Sequence, residues 1–184
     1  MAFYSPICRS GGKSERLRGY LKEMDRQGGF EVHFFGLPDD KQLALQSFES
    51  LKSYHDSKLS LFCEKLLSRV PNNILNSGFA RYLAINILAR RAANYKYLDQ
   101  IDVIFAHPGF LSLIKKAKQK NIRVVLEASD SHPSHLLKVH NRVKEVSNQV
   151  NEQILHKAVN RNKLSYTLAD KIIVFGSHAK KTFI

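Results

Sequence analysis

The sequence predicts an α/β domain built around a mainly parallel sheet. Short apolar runs rich in β-branched residues alternate along the chain with segments whose apolar residues recur at helical spacing. The clearest example is residues 102–133, which read as strand, loop, helix, strand and loop. Pro and Gly end the first of these strands, and Asn121 separates the helix from the second. Because two strands joined through a helix lie parallel, the segment predicts one βαβ unit.

The first half of the chain predicts a second βαβ unit followed by helices. Residues 1–5 form the first predicted strand, and the helix after it ends at the pair Gly28-Gly29. Alternating apolar residues predict the next strand at residues 30–35. Residues 38–97 predict at least two helices, broken at residues 71–73 and 77–78. Their apolar faces are marked by Leu43, Phe48, Leu51, Leu59, Phe62, Leu66, Leu67, Phe79, Leu83, Ile87 and Leu88.

The second half continues the same alternation. Residues 110–120 predict a helix, and residues 171–175 predict a further buried strand followed by a helix that begins at Ala179. Between them, residues 134–162 predict a long helix whose apolar stripe is Val139, Val143, Val146, Val150 and Ile154. Because the last helix has only begun at Ile184, we expect the chain to be the N-terminal domain of a longer protein.

Composition limits the classes of protein that fit. A chain of 184 residues suits one domain with a substantial core, and a hydrophobic content of 43% excludes a disordered chain. Lys and Arg total 29 against 16 Asp and Glu, a formal net charge of +13. The surface therefore attracts anions, which include nucleic acid, phosphorylated metabolites and an anionic membrane leaflet.

Cysteine usage and hydropathy indicate a cytoplasmic protein. Cys8 and Cys63 lie far apart and match neither a disulfide framework nor a metal-ligand spacing, which favours a reducing compartment. The chain has no apolar signal segment after Met1, and no apolar stretch approaches the roughly 20 residues that span a bilayer. We expect any membrane contact to be peripheral, at the cytoplasmic face.

A basic helix face accounts for part of the excess charge. Lys115, Lys116, Lys118 and Lys120 lie opposite the apolar face of the helix predicted at residues 110–120. Such a run is most often a solvated face, and docking on an anionic membrane or acceptor is the functional alternative. No RNP motif, zinc finger or helix-turn-helix is present. The hypothesis of a nucleic-acid or anionic-polymer binding module therefore rests on charge alone. That module is the alternative function, and nucleic acid is the less favoured partner.

Histidines and a glycine loop mark the candidate site. His107 and His132 each follow a predicted strand, and ligands bind at the carboxyl ends of the strands in open parallel sheets. An imidazole there can hydrogen-bond a sugar hydroxyl or transfer a proton. The loop RSGGK at residues 9–13 can bring backbone N–H groups to a phosphate, although it has neither dinucleotide nor P-loop spacing and also fits an ordinary turn.

A metal site is disfavoured. His132, His135 and His140 are close in sequence, but they lack the HExxH pattern, and no cysteine or second cluster completes a ligand set. We therefore expect neither a metal ion nor another cofactor.

Three segments resemble the N-terminal domain of the group 1 (family 4) retaining glycosyltransferases of the GT-B fold. They are IDVIFAHPGF at residues 101–110, IRVVLEASDSHP at residues 122–133, and LADKIIVFGSHAKKTF at residues 168–183. The last is similar to the family segment ADxIIVxSxxxKxxF, which closes the first Rossmann-like domain. The order and spacing of the three segments carry the resemblance more than any one of them does.

The resemblance implies a Rossmann-like three-layer domain that forms the acceptor-side half of a two-domain transferase. In that family the second half holds most of the nucleotide-sugar donor, and the acceptor would be a glycan or a lipid-linked intermediate. Backbone groups of Gly11 and Gly12 would then approach the donor diphosphate, and His107, Ser129 and His132 would line the acceptor side, with His132 as the catalytic residue. Without the donor-binding domain, the chain alone is expected to be inactive or nearly so.

Overall fold

A computed structural model describes residues 2–4, 12–36, 48–56, 62, 77–128, 132–135, 138–139 and 152–183. Within these residues every strand belongs to one parallel sheet, in the order β3-β2-β1-β4-β5-β6. The strands are β1 (Ala2–Tyr4), β2 (Val32–Gly36), β3 (Leu51–Asp56), β4 (Val103–Ala106), β5 (Arg123–Ala128) and β6 (Lys171–Val174). The predicted α/β fold with a parallel sheet is confirmed.

Helices connect the strands and cover the sheet. They are α1 (Gly12–Gln27), α2 (Ser77–Ala93), α3 (Leu111–Gln119), α4 (Glu152–Leu168) and α5 (Ser177–Lys181), with a short 3₁₀ turn at Leu98–Gln100. Helices α2, α3 and α4 pack against one another. The helix predicted at residues 110–120 is confirmed, and its face is buried at Leu113, Ile114 and Ala117.

Two apolar clusters form the core, because successive side chains of a strand point to opposite faces of the sheet. On β4, Ile104 and Ala106 join the larger cluster with α2 and α3, whereas Phe105 joins the smaller cluster with Leu21 of α1. The fold therefore has three layers, with α1 on one face of the sheet and α2 and α3 on the other.

The prediction that residues 38–97 form only helices, at least two of them, is wrong at Leu51, where strand β3 begins. This strand is the edge of the described sheet and pairs only with β2. A backbone turn before it is held by Asp25, whose carboxylate accepts the N–H groups of Glu49 and Ser50 at 3.1 and 2.8 Å. The error has a physical cause: an edge strand with polar residues shows no apolar alternation. In the C-terminal part of residues 38–97, the predicted helix is present and is α2.

The long helix predicted at residues 134–162 also differs from the structure. Helix α4 continues six residues past Asn162 and ends at Leu168. Val139, which begins the predicted apolar stripe, is exposed. Val143, Val146 and Val150 lie outside the described residues. The buried positions of α4 include Val159 and Ser165, so its packing face is set by contact with α2 and α3 and not by the valine spacing.

Asp170 joins the start of β6 to β5 and α3. Its carboxylate accepts the backbone N–H of Val124 at 2.8 Å and pairs with Lys118 Nζ at 2.6 Å. These two interactions lower the pKa of Asp170, the lysine first. Lys120 likewise pairs with Asp99, so two of the four lysines of the basic face are engaged by carboxylates.

Replacing Asp170 with alanine is expected to lower the free energy of unfolding by about 1–2 kcal/mol, because the backbone N–H of buried Val124 loses its acceptor. Urea unfolding followed by circular dichroism measures the change. Asp99→Ala is the matched control, since an exposed ion pair contributes about 0–1 kcal/mol. Equal losses in the two variants would contradict a special role for Asp170.

Candidate functional site

The order of the strands reverses between β1 and β4, the point at which an open parallel sheet has its binding crevice. The chain proceeds from β1 outward to β2 and β3 on one side and from β4 to β5 and β6 on the other. Strands β1 and β4 are adjacent, with Tyr4 in register with Ala106. In open α/β sheets, ligands bind outside the carboxyl ends of the strands at such a reversal of strand order. Helix α1 begins at Gly12, and His107 follows β4 directly, so the start of α1 and the loop after β4 flank this crevice.

The loop after β4 fixes the orientation of the His107 imidazole. Gly109 donates its backbone N–H to Nδ1 of His107 at 3.0 Å. Because Nδ1 is an acceptor, the neutral ring carries its proton on Nε2. Nε2 is therefore the donor nitrogen of the His107 ring.

Helix α4 holds the same loop through a buried side chain. The Ser165 hydroxyl donates to the carbonyl oxygen of Pro108 at 2.6 Å and lies 3.1 Å from the carbonyl oxygen of Arg161. Gly109 is packed closely: a Cβ there would lie 2.9 Å from Cγ2 of Ile85 and 3.1 Å from Nδ1 of His107. Only glycine fits at this position without a shift of its neighbours.

His132 is fixed by its backbone and by its ring nitrogen. Its N–H donates to Oγ1 of Thr182, after α5, at 2.7 Å. Its Nδ1 accepts the backbone N–H of Ser134 at 3.2 Å, which leaves Nε2 as the protonated nitrogen of the neutral ring. His107 and His132 thus share one arrangement, in which the backbone two residues further on determines the tautomer.

Aromatic side chains surround the His132 ring. The ring meets Phe183 edge to face at a centroid distance of 5.1 Å and lies 6.0 Å from the ring of Tyr166 on α4. Burial, and then the positive charge of Lys163, hold the pKa of His132 below its usual value. The imidazole therefore stays neutral to a lower pH than a free histidine does.

An ion pair ties α1 to the end of β5. Arg16 contacts Oε1 of Glu127 through Nε at 2.8 Å and through Nη2 at 2.6 Å, and its guanidinium lies 4.4 Å from the ring centre of Phe175 after β6. Burial, and then the charge of Glu127, raise the pKa of Tyr20 on the same helix. This pair positions helix α1, and no local sequence pattern indicates it, because its partners are 111 residues apart.

The predicted site residues fall into three groups. The His107 loop contacts Ser165 of α4, and His132 contacts the neighbouring Tyr166. These contacts do not bring the two imidazoles into contact with each other. Gly12 is the first residue of α1. Gly11 and Ser129 lie outside the described residues. The roles assigned to all five residues remain predictions.

Other features of the described part of the chain do not mark a site. Among these residues no three His, Cys, Asp or Glu side chains gather as they would around a metal ion. No helix in the same residues has both the length and the apolar character needed to cross a membrane. A cavity of about 370 Å³ lies at the amino ends of β4 and β5, between Asp102 and Arg123, at the edge of the sheet opposite to the crevice.

Solved structures resemble this fold along almost the whole chain. One is UGT2 of Phytolacca americana in complex with UDP-2-fluoro-glucose and pterostilbene, with a TM-score of 0.58 and 15% identity over 94% of this chain and 47% of that chain. Another is a UDP-glucosyltransferase of Polygonum tinctorium capable of glucosylating indoxyl, in complex with 3,4-dichloroaniline, with a TM-score of 0.60 and 13% identity. That match covers 98% of this chain and 48% of the other.

The likeness defines the fold of this chain as one shared with glycosyltransferases. At these identities it does not define which family the chain belongs to. The chain spans about half the length of each of the two solved structures. No protein-family model and no curated protein matches the sequence.

Proposed function

We propose that the chain is the N-terminal, acceptor-side half of a glycosyltransferase that moves a sugar from a nucleotide-sugar donor to an acceptor. The observation that carries the proposal is the reversal of strand order between β1 and β4, whose carboxyl ends lie beside the start of α1 and the His107 loop. Its support is the match of this sheet to about half of each of two UDP-glucosyltransferases. In those folds, as in any open α/β sheet, a ligand is expected at this edge.

The finer assignment is a retaining transferase of group 1, with a glycan or lipid-linked acceptor. It is supported by the three sequence segments that resemble that family, the last of which coincides with β6 and α5. His107 and His132 would meet the acceptor and the sugar being transferred. Lys115 and Lys116 remain exposed on α3 and could contact an anionic membrane that carries a lipid-linked acceptor at the cytoplasmic face.

The reading frame after Ile184 gives the first test. We expect it to encode a second Rossmann-like half, and a stop codon at that position would count against the proposal. The enzyme with both halves is then incubated with UDP-glucose and other nucleotide sugars and with a set of glycan and lipid-linked acceptors. We expect acceptor-dependent release of the nucleoside diphosphate with at least one donor, measured by chromatography.

The stereochemistry of the product separates the coarse proposal from the finer one. A retaining enzyme gives a product with the anomeric configuration of the donor, which the anomeric proton coupling in NMR reports. Inversion would reject the group 1 assignment and leave a glycosyltransferase. Failure of every donor, combined with tight and strongly salt-dependent binding to generic DNA or RNA, would favour the anionic-polymer module instead.

A further inference from the structure

Arg161 has a partly buried guanidinium, and among the described residues one of its donor nitrogens has no acceptor. It lies on α4, and its Nη1 atom is shielded from solvent with no hydrogen-bond acceptor in reach. None of the carboxylates that the structure describes forms an ion pair with it. By contrast, Arg16 and Arg26 each pair with a glutamate.

The surroundings of Arg161 hold the guanidinium beside the His107 loop. Its Nε donates to Oδ1 of Asn162 in a long hydrogen bond of 3.3 Å, and its guanidinium carbon lies 4.7 Å from the ring centre of Tyr82 on α2. Nη2 of Arg161 and Nδ1 of His107 both lie within 3.4 Å of the point where a Cβ on residue 109 would stand. Gly109 therefore lets the guanidinium and the imidazole come close together at the carboxyl end of β4.

An anion bound at Arg161 would stabilise this arrangement. Burial lowers the pKa of Arg161, because water that would solvate the charge is excluded, yet a guanidinium stays protonated in proteins. The contact with Tyr82 favours the cation but accepts no hydrogen bond in the plane of the guanidinium, where Nη1 donates. A buried donor without an acceptor destabilises the protein unless a ligand or a water molecule supplies the acceptor, and an anion is the acceptor that also compensates the charge.

We propose that Arg161 binds a phosphate group in the crevice next to the His107 loop. A guanidinium donates two parallel hydrogen bonds to a phosphate, and such pairs are strong where water is excluded. The phosphate has two possible sources: the diphosphate of a nucleotide donor, or a phosphorylated acceptor. Only the naming of these two sources rests on the proposed function; the site itself rests on the unpaired guanidinium.

The experiment compares thermal unfolding of the chain in sodium phosphate and in sodium chloride of equal ionic strength. Phosphate is expected to raise the Tm of the wild-type chain by mass action. Arg161→Met keeps much of the aliphatic side chain and removes the charge, so it is expected to abolish the shift without lowering the Tm in chloride. The control is Arg90→Met, at an exposed arginine of α2, which should keep the full phosphate shift.

Three results would overturn the site: no phosphate shift in the wild-type chain, the same shift in Arg161→Met, or a loss of the shift in Arg90→Met as well. If Arg161→Met does not fold, ¹⁵N NMR of the arginine Nε–H groups decides the matter in the wild-type chain. Phosphate should then move the Arg161 signal, assigned with Arg161→Lys, and leave the Arg90 signal in place. An unmoved Arg161 signal would reject the proposal.

Further ligands identify the source of the phosphate. A Tm shift caused by UDP that requires Arg161 indicates the donor diphosphate, and a shift caused by glucose 6-phosphate but not by glucose indicates a phosphorylated acceptor. If neither shift depends on Arg161, both named sources are rejected even when transfer activity is present, and the site itself is judged by the comparison of phosphate with chloride. Conversely, phosphate binding at Arg161 in an enzyme that transfers no sugar would leave the site intact and reject the proposed function.

Discussion

Replacing His132 with alanine is expected to reduce sugar transfer by about 10²–10⁴-fold in the enzyme that contains both halves, if its imidazole donates or accepts a proton at the reacting sugar. The ring is already fixed for that task, because Ser134 N–H occupies Nδ1 and leaves Nε2 as the group that can meet a substrate. The measurement is kcat and KM from the release of nucleoside diphosphate. Near-normal turnover would remove His132 from the site.

A second variant separates chemistry from packing at this position. Alanine also removes the ring that packs on Phe183 and Tyr166, so part of its effect is structural. Asparagine can keep an acceptor for the Ser134 N–H while it eliminates Nε2, and we expect His132→Asn to lose transfer as fully as His132→Ala does. His156→Asn, at an exposed histidine of α4, should be without effect.

The pH dependence gives an independent test of the same residue. The pKa of His132 is lowered by burial, so its neutral form persists below the usual histidine pKa of about 6.5. If neutral His132 is required, the rate should fall only as the pH drops through this lowered pKa. That acid limb should be absent from the residual activity of His132→Asn, and an unchanged limb would assign it to another group.

Local sequence patterns predicted most of the sheet because buried parallel strands are continuous apolar runs. Strands β4, β5 and β6 lie within one or two residues of the strands that the sequence predicts at residues 102–106, 122–126 and 171–175, and each is bounded by polar or glycine-containing loops. Strand β3 was missed for the opposite reason. It lies at the edge of the described sheet, and its sequence LKSYHD has no apolar alternation.

The candidate site was predictable only where its residues adjoin a strand. His107 and His132 could be found because the end of each strand is visible in the sequence. Arg16 and Arg161 could not be found in this way, because each lies inside a helix and its importance depends on a contact remote in sequence. Arg16 contacts Glu127, and Arg161 contacts the Gly109 loop. A one-dimensional pattern carries no signal for such contacts. The unsatisfied donor of the partly buried Arg161 guanidinium can be recognised only in the folded structure.

Gly109→Ala is expected to destabilise the chain by about 1–3 kcal/mol, because the added methyl group overlaps Cγ2 of Ile85, which is buried. The overlap can be relieved only if the loop moves away from α2, and this movement would also separate Gly109 N–H from Nδ1 of His107. Urea unfolding measures the stability. Assays of the enzyme with both halves should show a loss of transfer, because His107 loses the contact that orients it.

Two further variants show whether the overlap with Ile85 is the cause. Gly19→Ala, inside α1 with no atom within 4 Å of the added Cβ, should instead stabilise the chain by about 0.5–1 kcal/mol. Ile85→Ala removes the methyl group that collides, so the double variant with Gly109→Ala should lose less stability than the sum of the two single changes. Additive losses would show that Gly109 is required for another reason, such as the close approach of Nδ1 of His107.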